Sequence, residues 1–250
     1  MTTIIYEKNG RSEACCDFLQ RSGALADFNK LFLLPIPTVG DKGLMKGSDL
    51  TVAEALCDCN EGCIAVGYGV PEDVCEEVAN RGGVVIDVSS DEDFLLDNAR
   101  LTALGTLGII LGSSAFAPSD LSIGVVGYGR IGKFLTEMLL YHGAGVTVFS
   151  SKESVRLDLG SYGIETVSSL DLPNLSRLDI LINTAPARLF DPEQINALPL
   201  RVIDLASGDP FAGCPAVERY PSLPAKEFPG SAGVCLARSV LRTLGEEGKS

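Results

Sequence analysis

Residues 121–152, LSIGVVGYGRIGKFLTEMLLYHGAGVTVFSSK, decide how the chain is read. Ile123–Val126 is a short run rich in β-branched residues, the length of a buried strand. Gly127-Tyr128-Gly129-Arg130-Ile131-Gly132 follows with GxGxxG spacing. From Arg130 to Tyr141 the apolar residues Ile131, Phe134, Leu135, Met138 and Leu139 recur at helical spacing. Val146–Phe149 reads as a second strand. A bare GxGxxG is a weak signal, but strand, glycine turn, helix and strand in sequence make the βαβ context that binds a dinucleotide. Gly127 permits the tight turn and Gly129 lets the backbone approach a pyrophosphate. Gly132 lets the helix pack closely on the strand, so that its first N–H groups face the phosphates. The alternative is a glycine-rich turn of the same architecture that has lost its nucleotide.

The end of the second strand separates the cofactors. A site for NAD usually carries Asp or Glu there, about 20 residues past the glycines, to bind the ribose 2′-hydroxyl. This chain has Ser150, Ser151 and Lys152, with Arg156 a turn later. Hydroxyls and a cation suit a 2′-phosphate, which a carboxylate would repel. NADP is therefore expected and NAD is second, unless Lys152 and Arg156 merely sit on a solvated face. Loops at the carboxyl ends of later strands supply further cofactor candidates: Thr184, Ala185 and Pro186 after one, Leu205 and Ala206 after the next, with Ser207 beyond them. Thr38 and Tyr68 hold the corresponding ends in the first half. Two such edges facing each other would form an interdomain cleft; ordinary turn chemistry is the competing reading of each residue.

Working outward, short β-branched runs alternate with amphipathic stretches, the pattern of a parallel α/β sheet. Strands are predicted at 3–6, 31–34, 63–66 and 84–87, with helices over 13–21, 51–59 and 71–80. Further strands are predicted at 164–167, 180–183 and 202–205, and a last helix over 231–244. FLLDNARLTALGTLGIIL, residues 94–111, is apolar around most of its surface, as a buried connecting helix would be. The expected fold is α/β: two doubly wound parallel-sheet domains, the second an NAD(P)-binding Rossmann domain, joined by a long apolar helix. The expected boundaries are 1–90 for a small flavodoxin- or Rossmann-like domain, 91–117 for the linker helix, 118–230 for the Rossmann domain, and 231–250 for a C-terminal helix and frayed tail.

The 250 residues carry 20 Lys and Arg against 33 Asp and Glu, a formal charge of −13. Such a polyanion is repelled by nucleic acid and by acidic lipid. No apolar run reaches membrane-spanning length and the first residues do not resemble a signal peptide, so a cytoplasmic protein is expected. Eight cysteines are scattered over an ordinary apolar pattern. Cys57, Cys59, Cys63 and Cys75 cluster, but their CxCx3C spacing is not that of a zinc ribbon. Reduced buried thiols and no metal site are expected. The apolar linker helix also points to a homodimer or a tight domain interface.

The order of motifs resembles the dipicolinate synthase A family, itself similar in layout to D-2-hydroxyacid dehydrogenases. The matching pieces are LPIPT (34–38), Asn98, Thr102 and Gly105 in DNARLTALG, GYGRIG (127–132), LINTAP (181–186), VIDLAS (202–207) and PSLPAKEFPGSAG (221–233). The resemblance implies a two-domain NADP-dependent oxidoreductase that oxidises a cyclic dicarboxylate to dipicolinate beside a flavoprotein-like second subunit. Asn98, Thr102, Ser207 and Ser231, with Thr38 and Tyr68, are then the candidates to hold a substrate carboxylate. The chain departs from the family at three substrate loops. Leu104 stands where the family has Glu, Gly230 where it has Lys, and Gly208-Asp209-Pro210-Phe211-Ala212 replaces a Pro-Gly-Gly-Thr-Asp stretch. The first domain is also shorter and lacks the family's glycine-rich first turn.

Hydride transfer needs a group to carry the proton. The single histidine, His142, falls at the end of the Rossmann helix remote from the phosphates, where it suits a helix C-terminus. Asp204, Asp97 and Tyr68 could each take a proton, and no sequence feature selects among them. Two functions stand: an NADP-dependent oxidoreductase of a small carboxylated substrate, or a non-catalytic NADP-binding subunit or redox sensor.

Overall fold

The computed structural model describes residues 1–168, 170–187, 195–196, 200–208, 210–211 and 213–245. Asp209 and Ala212 of the altered loop, and most of the expected frayed tail, lie outside these residues. Contacts divide the chain into two compact units, residues 1–98 with 224 onward, and residues 99–223.

The first unit holds a four-stranded parallel sheet in the order β1-β2-β3-β4: Thr2–Ile5, Lys30–Leu33, Cys63–Gly67 and Val84–Asp87. Its helices are α1 (Gly10–Ser22), α2 (Val52–Ala55) and α3 (Glu72–Asn80). Side chains alternate across a strand. Phe32, Cys63 and Ala65 pack in one core with Val52 and Leu56 and with Val74 and Val78 of α3, while Leu31, Leu33, Ile64, Val66 and Ile86 are buried at alternate positions. The predicted helix over 51–59 is only α2. Thr51 and Glu54 form a reciprocal cap at its start. The carbonyls of Leu56 and Cys59 are then taken by Arg81, at 3.0 and 3.4 Å, which satisfies them without further helical turns.

Helix α4 spans Glu92–Ser113, and the division between the units falls inside it. By length and composition alone it could cross a membrane, yet half of its most apolar stretch is buried within the protein, as in a core helix. Asp91 caps it. One carboxylate oxygen accepts the N–H groups of Asp93 and Phe94, at 3.0 and 3.2 Å. The other accepts the Ser239 hydroxyl and an Arg242 bond of 2.7 Å.

The second unit is a six-stranded parallel sheet containing β5 (Ser122–Val126), β6 (Gly145–Phe149), β7 (Glu165–Val167), β8 (Ile180–Asn183), β9 (Arg201–Asp204) and β10 (Val217–Arg219). Their order is β10-β9-β8-β5-β6-β7. The chain therefore steps outward from β5 to β7, returns to the other side of β5, and steps outward again. Helices α5 (Arg130–Tyr141), α6 (Glu153–Ser161) and α7 (Leu172–Leu175) complete it, and α8 (Leu223–Glu227) begins at its last residue. Two cores occupy the two faces. Ile123, Val125, Val148 and Ile182 pack with Leu135 and Leu139 of α5 and with Leu107 and Ile110 of α4. Val126, Phe149, Leu181 and Val202 pack with Leu175 and Phe211. Strand β10 was not legible, because two of its three residues are charged. They are held by partners from β9: Arg201 grips Glu218 through bonds of 2.6 and 2.7 Å, and Arg219 lies 3.7 Å from Asp204.

The last helix, α9, spans Pro229–Leu244, two residues earlier than predicted. Proline fits the first helical position, where no N–H is needed. In the first unit α9 packs on α1 so closely that a Cβ on Gly233 would stand 2.5 Å from the Arg11 carbonyl oxygen. All eight cysteines are free thiols; Cys57 is exposed and Cys75 half-buried. Burial pushes the Cys16 and Cys59 thiols up to about 11.

Candidate nucleotide-binding site

The reversal of strand order between β5 and β8 opens a crevice at their carboxyl ends, where open α/β sheets bind ligands. The glycine turn lies there. Gly127 has φ of +90°, a conformation costly for any residue with a Cβ, and its N–H donates to the Phe149 carbonyl at 2.9 Å. Thr184, just past β8, donates its hydroxyl to the Val126 carbonyl at 2.8 Å, which ties the turn to the neighbouring strand end. A Cβ on Gly132 would come 2.2 Å from the Gly127 carbonyl oxygen, so the turn and the start of α5 are nested without space for a side chain. Gly129 precedes α5 with no side-chain cap, and a Cβ there would meet nothing within 4 Å. The first N–H groups of α5 thus have no side-chain cap and the space beside Gly129 is open, the arrangement a phosphate fits.

A cavity of about 590 Å³ adjoins this turn. Gly127, Tyr128 and Gly129 line one side, and Ser150, Ser151 and Lys152 line the end of β6. Tyr128 is half-buried, and burial, then Glu137 and Asp158, raises its hydroxyl pKa. Ser150 is held as a turn: its hydroxyl accepts the Lys152 N–H at 3.3 Å and its carbonyl accepts Arg156 at 2.7 Å. Arg156 therefore shapes the loop, whereas Lys152 is exposed and makes no ion pair with any described residue. Asp171 is the only acid among the lining residues, and one of its oxygens caps α7 through the Asn174 N–H at 3.0 Å. Ala185 lines the cavity too, while Pro186 is exposed beside it. Arg130 is exposed and Ile131 half-buried at the start of α5.

Beyond β8 and β9 the sequence hid a buried polar network. Asn183, fully buried, donates to Asp204 at 2.8 Å and to the Ala185 carbonyl at 2.9 Å. Asp204 also accepts the Ala206 N–H at 3.3 Å. Leu205 is buried, Ala206 half-buried and Ser207 exposed. With Asn183, Ala206 and Arg219 around it, the Asp204 carboxylate is a strut for the two strand ends rather than a free proton carrier. Asn183→Ala is expected to lower stability by about 2 kcal/mol, since a bond to a buried charge is lost. The urea midpoint of the purified variant checks this.

The remaining candidates are more dispersed. In the first unit Thr38 and Tyr68 come together: the Tyr68 N–H donates to the Thr38 hydroxyl at 2.8 Å, and that hydroxyl donates to the Pro35 carbonyl at 3.0 Å. Thr38 is fully buried and has no proton left to offer a ligand, so it fixes the loop. Asn98 and Asp97 are half-buried on α4 and Thr102 is buried a turn later. Ser231 is exposed in the first turn of α9; of the altered loop, the Gly208 carbonyl accepts Arg219 at 2.7 Å and Phe211 is buried. His142 is exposed after α5, its Nδ1 2.8 Å from the Met138 carbonyl oxygen.

No protein-family model and no curated protein sequence matches the chain. Solved structures do. The dipicolinate synthase A protein from Bacillus halodurans superposes with a TM-score of 0.75 at 20% identity, covering 98% of both chains. Its counterpart in the dipicolinate synthase of Bacillus subtilis gives 0.73 at 16% identity, covering 98% of this chain and 96% of that one. D-lactate dehydrogenase from Escherichia coli gives 0.58 at 16% identity, covering 100% and 98%. At these identities the likeness is one of fold. The chain has a dehydrogenase-type α/β fold, and the resemblance read from its motifs holds at that level.

Proposed function

We propose that the chain is an NADP-dependent oxidoreductase, similar to the dipicolinate synthase A proteins, that acts on a small dicarboxylate in the cytoplasm. The observation that carries the reading is the cavity beside the Gly127–Gly132 turn, whose β6 end offers two hydroxyls and Lys152, which pairs with no described acid. The residues fit the cofactor: open space at Gly129 and the start of α5 suit a pyrophosphate, and Ser150, Ser151 and Lys152 suit a 2′-phosphate. Bound there, the nicotinamide would supply the hydride acceptor or donor. The chain's own part is to hold and orient it, with Thr184 and Ala185 beside the turn and Leu205 and Ala206 at the end of β9. Tyr68 and Asp97 remain candidates to move the proton. The proposal includes a homodimer, to which the exposed Leu104, Leu111 and Phe116 lend apolar surface, and a flavoprotein-like partner subunit.

A second reading, a nucleotide-binding subunit without catalysis, draws on the commitment of Asp204 to its strut and on the remote position of His142. Turnover of a cyclic dicarboxylate with NADP, absent under all conditions while NADPH still binds, would favour it. The cofactor assignment is tested by titrating NADPH and NADH into the protein and into Lys152→Ala. NADPH should bind the parent more tightly, and the variant should lose about tenfold or more for NADPH alone, since one charge-assisted contact is worth about 1.5–3 kcal/mol. Equal affinity of the parent for both cofactors would sink the 2′-phosphate assignment.

A further inference from the structure

Arg11 is the only basic side chain buried among the described residues, with 5% of its surface exposed. It sits in the first turn of α1, just past the end of β1. A guanidinium presents five N–H donors. Here it has one bond of 3.4 Å to the Ile36 carbonyl and a Glu7 carboxylate oxygen at 3.9 Å. Arginines elsewhere in the chain show what full pairing looks like: Arg201 meets Glu218 at 2.6 and 2.7 Å, and Arg242 meets Asp91 at 2.7 Å. Burial lowers the Arg11 pKa and Glu7 only partly restores it. A buried cation in this condition has its one described anion only at long range.

A second cation converges on the same point. The Lys46 ammonium lies 3.2 Å from the Ile36 carbonyl oxygen and 3.5 Å from Glu7. Two cations therefore share one carboxylate, at separations longer than the ~2.7–2.9 Å of strong charge-assisted bonds. Glu7 follows β1 and Ile36 follows β2, so the cluster stands at the carboxyl edge of the first sheet, the ligand-binding edge of parallel α/β sheets. The excess of positive charge is confined to a spot on a chain of net charge −13. The N-terminus of α9 abuts the same end of α1, where a Cβ on Gly10 would stand 2.7 Å from Pro229. Its uncapped N–H groups add to the positive potential there.

We propose that Arg11, assisted by Lys46, is a carboxylate-binding site of the first unit, whose ligand is a small organic di-acid that displaces Glu7 and pairs with the guanidinium. The identity of the ligand rests on the oxidoreductase reading above; the anion site rests on the cluster itself.

The test is calorimetric titration of the whole protein with pyridine-2,6-dicarboxylate, and with pyridine-2-carboxylate as a mono-acid control, beside a separate titration with NADPH. The di-acid should bind the parent more tightly than the mono-acid. Arg11→Met should weaken di-acid binding by about tenfold or more while leaving NADPH affinity unchanged. Arg11→Lys should fall between them, because it keeps the charge and loses the planar fork. Since an under-paired buried cation is a burden on the empty protein, Arg11→Met should melt no lower than the parent. Unchanged di-acid affinity in Arg11→Met, or no di-acid binding by the parent, overturns the site. If Arg11→Met does not fold, Lys46→Met decides, and unchanged affinity there overturns it equally. Di-acid binding that depends on Arg11 without NADP-linked turnover would leave this site standing and remove the oxidoreductase reading. NADPH binding and turnover with Arg11→Met at unchanged KM would do the reverse.

Discussion

Gly132→Ala should abolish measurable NADPH binding and lower the stability of the protein by about 2–3 kcal/mol, the cost of forcing one methyl group into closed packing. The added Cβ would stand 2.2 Å from the Gly127 carbonyl oxygen, where side-chain carbons are essentially never nearer than 3.0 Å. Turn and helix would therefore have to part by nearly 1 Å. The carbonyl cannot retreat freely. Gly127 is held by its own N–H on Phe149, and the adjoining Val126 carbonyl by the Thr184 hydroxyl. The strain falls on the backbone that would receive the pyrophosphate, and a displacement of this size typically costs about a hundredfold where positioning matters. Thermal denaturation reads the first effect and nucleotide titration the second. Gly129→Ala is the control, because its Cβ points into open space and should leave the fold intact.

Asp91→Ala should cost about 3 kcal/mol, combining a lost helix cap of about 1 kcal/mol with lost charge-assisted bonds to Arg242 and Ser239. Ser239 is fully buried, and its hydroxyl would be left facing the gap. The loss should also depend on pH. Burial alone would raise the Asp91 carboxyl pKa, but the bonds from Ser239, Arg242 and the Phe94 amide outweigh it and hold the group below the usual carboxylate value. A carboxyl whose folded pKa is depressed contributes stability above its unfolded pKa, near 3.9, and loses it as pH falls through the folded value. The gap in urea midpoint between parent and Asp91→Ala should thus be wide at pH 7 and narrow at pH 3. Glu218, held down by its bonds from Arg201 and Tyr220, titrates in the same acid window. The difference between parent and variant, rather than either curve, isolates Asp91. A gap that does not change with pH would show that the cap, and not the charge, carries the effect.

The parts of the molecule that were legible are those set by neighbours in sequence. The β5–α5–β6 unit follows from apolar spacing and three glycines, and the four strands of the first sheet from β-branched runs bounded by turn residues. What escaped was set by partners remote in sequence. Helix α2 stops early because Arg81, 25 residues beyond Leu56, takes its carbonyl. Strand β10 looks like a charged turn until Arg201 and Asp204 are placed beside Glu218 and Arg219. Asp204 reads as a candidate base, and only the pairing of β8 with β9 reveals Asn183 against it. Arg11 is the sharpest case. A lone arginine in the first turn of a helix has the signature of a solvated side chain, and nothing local indicates that it is buried with its guanidinium on the Ile36 carbonyl.

The contact of α9 with α1 has a consequence for the order in which the protein is made. Residues 99–223 form a continuous unit that leaves the ribosome before α9 is made. The earlier unit is incomplete until then, because the helix that packs on α1 ends 146 residues after position 98. At about 5–20 residues per second, α1 and the nascent sheet wait roughly 7–30 s for α9. For that interval the newly made Cys15 and Leu19, both fully buried in the finished protein, stand without their cover, and a chaperone that recognises apolar helices would find them there.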